Sequence, residues 1–107
     1  MKSEDNSSIS KRYLKTKPVC KVTFRLPKES VLTAENVVVV GDFNAWNAEA
    51  TPMTRLKNGD FTTVVELPAG KEYRFRYFID HQRWENDWHA DGYVPNIFGG
   101  KDSLVKV

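Results

Sequence analysis

VVVVGDFNAWN, Val37 to Asn47, is the stretch whose reading decides the fold. Four consecutive valines ending at a glycine read as a strand buried on both faces. Asp42, Asn44 and Asn47 then mark a turn, because short polar side chains compete with strand pairing by bonding to their own backbone. That turn delivers one large ring, Trp46. A tryptophan placed this way either faces a ligand or folds back to plug the end of the domain.

Working outward, the neighbouring segments alternate with period two, the signature of half-buried strands. Val19 to Leu26 puts Cys20, Val22, Phe24 and Leu26 on one side and Lys21, Thr23 and Arg25 on the other. Phe61, Thr63, Val65 and Leu67 form a second such series, and Tyr73, Phe75, Tyr77 and Ile79 a third, with Arg74, Arg76 and Phe78 opposite. Met53 to Leu56 reads as a short strand, and Lys57-Asn58-Gly59-Asp60 carries the Asn-Gly pair that favours a tight hairpin. Asp80-His81-Gln82 is a further turn before Trp84. Glu85 to Lys101 reads as a long irregular loop, with Trp88 packed beneath it, and Ser103 to Val107 as a final strand. No helical period occurs. Six or seven short strands separated by turns specify an all-β antiparallel sandwich.

Size and composition bound what this sandwich can do. The 107 residues form one domain, able to bury roughly two-thirds of its unfolded surface. A hydrophobic content of 40% with 28% charged residues is that of a globular chain. Cys20 is the sole cysteine and sits in a core series, so it serves as a small hydrophobe and neither a disulfide nor a cysteine zinc site is expected. Residues 1–17 carry five basic and two acidic side chains, a net +3, whereas the remainder carries eleven basic against twelve acidic, a net −1. The basic excess lies in the first segment, so a nucleic-acid partner is not expected. Residues 1–18 read as a disordered or loosely attached basic tail, and 19–107 as the folded domain. With no apolar run near the ~18 residues of a membrane span, no membrane partner is expected and a cytoplasmic location is.

Taken together, GDFNAWN, LPAGKEYRFRYFID, RWENDW and NIFGGKDSLVKV, in this order over residues 19–107, resemble carbohydrate-binding module family 48. That family is the isoamylase early-set domain, similar to the glycogen-binding domain of AMP-activated protein kinase β subunits. The resemblance implies an immunoglobulin-like sandwich that binds α-1,4-linked glucan (glycogen, starch or a maltooligosaccharide). It further implies that Trp46 and Trp84 stack on glucose rings. Arg76 falls where the kinase domains have a sugar-contacting lysine, Phe98 near the leucine of the sugar-facing loop, and Asp102 near its asparagine. One extra residue precedes Trp84. Asp87 matches a structural aspartate.

The chemistry agrees with the resemblance. A glucan offers apolar ring faces rimmed by hydroxyls, and aromatic faces with a planar arginine fork complement both. Asp87, His89 and Asp91 alternate, but three ligands without a further cluster do not make a metal site, and no metal or cofactor is expected. No catalytic constellation is present, so an enzyme is not expected. The alternative function is a module of the same fold that docks or regulates a protein partner, such as a glycan-metabolising enzyme; exposed aromatics also serve as docking hot spots.

Overall fold

The computed structural model describes residues 9–31 and 33–107. Among these residues nine strands form two antiparallel sheets: β1 (Ile9–Tyr13), β2 (Val19–Leu26), β3 (Val37–Gly41), β4 (Thr54–Arg55), β5 (Phe61–Pro68), β6 (Glu72–Ile79), β7 (Arg83–Glu85), β8 (Gly92–Pro95) and β9 (Lys101–Lys106). One sheet has the order β1-β2-β5-β4; the other has the order β3-β6-β9-β8, with β7 paired to the second half of β6. This is the expected all-β sandwich, and among the described residues it contains no α-helix.

The core lies between the sheets and is filled by the alternating series. Cys20, Val22, Phe24 and Leu26 from β2 face Phe75, Tyr77 and Ile79 from β6, all essentially inaccessible to solvent. Phe24 meets Phe75 edge-on at 5.0 Å between centroids, and Phe75 meets Tyr77 at 5.6 Å, the offset geometry that aromatic quadrupoles favour. All five residues of β3 are buried, as the unbroken valine run predicts. The free edge of β3 is closed by the returning chain, since Val39 N–H donates to the Thr51 carbonyl and Met53 N–H to the Val37 carbonyl.

Two segments differ from the sequence reading. Of the tail expected over 1–18, residues 1–8 lie outside the described residues, but Ile9–Tyr13 pair with β2 from Ile9↔Phe24 to Tyr13↔Cys20. Only Ile9 is partly buried in this strand. A polar edge strand held by its neighbour shows no hydrophobic period. Glu85 to Lys101 is likewise not irregular throughout: Gly92–Pro95 form β8 and pair with β9. Four residues broken by Gly92 and Pro95 gave no strand signal.

Trp88 is also corrected. It is 51% exposed rather than packed beneath a loop. The inward position is taken by its neighbour Asp87, whose carboxylate accepts the Tyr77 hydroxyl at 2.6 Å and the His89 N–H at 2.7 Å. Burial, reinforced by that carboxylate, pushes the Tyr77 phenol well above its ordinary pKa. The hydroxyl therefore stays a donor to Asp87.

Candidate functional site

The candidate site lies on the outer face of the β3-β6-β9-β8 sheet, and three connections frame it. The first is the turn after β3. Gly41 begins it because there is no room for a side chain: a Cβ would lie 2.3 Å from the Arg74 carbonyl oxygen and 2.8 Å from Phe75 Cβ. Asn44 then stitches the turn to the strand, its Oδ1 accepting from Gly41 N–H while its Nδ2 donates to the Val39 carbonyl and Thr51 Oγ1. Ala45 and Trp46 follow with φ of 58° and 57°. Two consecutive left-handed non-glycine residues cost free energy and persist only where surrounding bonds fix them. Here the Trp46 N–H donates to the Gly41 carbonyl, and the indole Nε1–H donates to Asp42 Oδ1 at 2.9 Å. The other oxygen of Asp42 accepts the Arg74 N–H of β6 at 2.8 Å. Trp46 is 36% exposed, so it does not plug the sandwich.

The second connection joins β6 to β7. Asp80 and His81 both take φ of 53°, and Asp80 is fixed by accepting Glu35 and Asn36 N–H groups. This tight reversal sets Trp84 directly opposite Phe78. The two rings stack at 4.2 Å with 21° between planes. One face of Trp84 is therefore occupied by protein, and the residue remains 40% exposed. The Arg76 guanidinium carbon lies 5.7 Å from the Trp84 ring centre, within cation–π range. Arg76 Nε is buried without a hydrogen-bond partner.

The third connection is the tip between β8 and β9, organised by a single side chain. Asn96 Oδ1 accepts from Phe98 and Gly100 N–H, and its Nδ2 donates to Asp102 Oδ1 at 3.1 Å. Phe98 is held outward at 87% exposure, and Ile97 beside it is more exposed still. Asp102 is 6% exposed. Its carboxylate is taken up by Asn96 and by Arg74 Nη1 at 3.7 Å, so it braces the tip and the neighbouring arginine.

These connections enclose one concavity of about 740 Å³. Trp46, Arg76, Trp84, Phe98 and Asp102, the five residues singled out in the sequence, all line it. So do Asp42, Arg74, Asn96 and Ile97, which the sequence reading did not nominate. Arg74 was legible, being two residues from Arg76 on the same strand face. Asp42 and Asn96 were not, since their roles depend on chain brought in from elsewhere. Among the described residues no group of three or more His, Cys, Asp or Glu is placed to hold a metal. Asp91 is engaged by Lys11 Nζ and the Lys106 N–H. No helix among the described residues is long and apolar enough to cross a membrane.

The family model of carbohydrate-binding module 48, the isoamylase N-terminal domain, covers residues 30–94, from the link before β3 into β8. No curated protein matches the chain.

Proposed function

The chain belongs to carbohydrate-binding module family 48, and from that membership we propose that it binds α-1,4-linked glucan without catalysing a reaction on it. The observation that carries this reading is the convergence of Trp46, Arg76, Trp84 and Phe98 on one concavity, although they come from four separate segments. The exposed parts of Trp46 and Trp84 offer platforms for the apolar faces of glucose rings. Phe98 adds an apolar wall from the opposite side. Arg76, which lines the concavity, supplies a planar guanidinium fork whose N–H groups can donate to sugar hydroxyls. Asp102 contributes indirectly, by holding Arg74 and Asn96. A shallow site that immobilises a flexible chain binds weakly, with Kd on the order of 10 μM to 1 mM.

The test is native electrophoresis in gels with and without glycogen. The wild-type protein is expected to be retarded by the polysaccharide, and maltooligosaccharides to release it. Trp46→Ala is expected to lose ~2 kcal/mol or more of binding, as for other hot-spot aromatics, while unfolding near the wild-type temperature. Wild-type protein that migrates unretarded would overturn glucan binding and favour a protein-docking surface.

A further inference from the structure

We infer that Asp42 is a positioning residue for this site, acting through the indole N–H of Trp46. The inference rests on the glucan-binding reading, but the bond itself can be tested without ligand. Asp42 belongs to the short 3-10 turn that follows β3, and each of its carboxylate oxygens accepts one bond. Oδ1 takes the Trp46 indole at 2.9 Å and Oδ2 takes the Arg74 backbone N–H at 2.8 Å. The side chain thus ties the ring of the β3 turn to the strand that carries Arg76, two residues beyond Arg74. Charge-assisted bonds of this kind are shorter and about twice as strong as neutral ones.

The need for such a tie follows from the backbone. Ala45 and Trp46 are both left-handed, so the turn alone does not favour this presentation of the ring. Asn44 secures the backbone, but it makes no bond to the indole. Asp42 Oδ1 is the partner of the one polar atom on that ring. A ring fixed before the ligand arrives costs less ordering on binding. Trp46 and Arg76 both line the concavity, so fixing the ring fixes one wall of the site that the guanidinium shares.

The experiment is a double-mutant cycle between Asp42→Ala and Trp46→Phe, which keeps an aromatic face but has no N–H to donate. Binding is measured by titration with a maltooligosaccharide, and unfolding by urea. Asp42→Ala is expected to weaken binding about tenfold in the wild-type background and less than about twofold in Trp46→Phe, the non-additivity of a directly coupled pair. The Arg74 bond is present in both backgrounds, so its loss changes stability equally and does not produce this pattern. Equal, additive losses of affinity would overturn the inference and point to direct contact between Asp42 and sugar. Should Asp42→Ala fail to fold, Asp42→Leu, which fills a similar space but accepts no hydrogen bond, is taken through the same cycle.

The indole resonance gives the ligand-free readout. In the wild type the Trp46 Nε1 proton is expected to exchange slowly with solvent, and in Asp42→Ala at the rate of an open indole. Unchanged exchange would overturn the tie even if glycogen binds. A wild-type protein that binds no glucan, yet shows this change, would reject the glucan reading and leave the tie standing.

Discussion

At the level of single residues, the site is specified by steric exclusion as much as by attraction. Gly41 has extended backbone angles, so conformational freedom does not explain it; the 2.3 Å approach of a Cβ to the Arg74 carbonyl does. Backbone cannot yield as a side-chain tip can. Gly41→Ala is therefore expected to lower stability by at least the ~1–3 kcal/mol of an overpacked core position, read as a drop in the urea midpoint with the m-value retained. Trp46 was readable at this scale because a large ring in a polar turn stands out from its neighbours. Asp102 was not: its residue type allowed a sugar contact, and only the folded chain brings Asn96 and Arg74 against it. Trp88 was misplaced for a related reason, since which of two adjacent side chains turns inward depended on Tyr77 offering a donor to Asp87.

At the level of elements, the long strands with a hydrophobic period were legible, whereas β1 and β8, which lack one, were not. β2, β3, β5 and β6 each bury an apolar series or run, and their sequences show it. β1 and β8 owe their existence to pairing with β2 and β9, information that lies at the other end of a ladder. The β8–β9 tip shows what an element can do without a core of its own. Asn96 makes three side-chain bonds there, to Phe98, Gly100 and Asp102, and substitutes for a longer backbone turn. Asn96→Ala is expected to cost about 1 kcal/mol of global stability, the worth of a modest set of exposed hydrogen bonds. Amide exchange over residues 97–100 is expected to rise much more than in β6. A tip that stays protected in this variant would show that its backbone bonds, from the Asn96 N–H to the Gly100 carbonyl and from the Gly99 N–H to the Asn96 carbonyl, suffice to hold its shape.

At the level of the whole molecule, carboxylates fasten the links between sheets, and this sets the acid limb of stability. Partial burial pushes Asp60 upward, but bonds from the Lys28 N–H, Arg25 and Asn58 outweigh it and hold the group below its ordinary pKa. Asp80 is held low by the Asn36 and Glu35 N–H groups. A depressed native pKa means that the unfolded state binds protons first. The contribution is thus complete above the unfolded value of about 4 and is lost as pH falls through the native one. Urea midpoints are expected to be level near neutrality and to fall below about pH 4, with a shallower fall in Asp60→Asn. An undiminished slope in that variant would assign the acid limb to other groups. The three tryptophans, finally, sit in unlike surroundings: one bonded through its nitrogen to Asp42, one stacked on Phe78, and one exposed outside the concavity. The protein thereby carries its own optical reporter. A polymer settling on the first two would shield them from a dissolved quencher such as acrylamide while Trp88 continued to respond, so unlabelled protein would register occupancy by its own light.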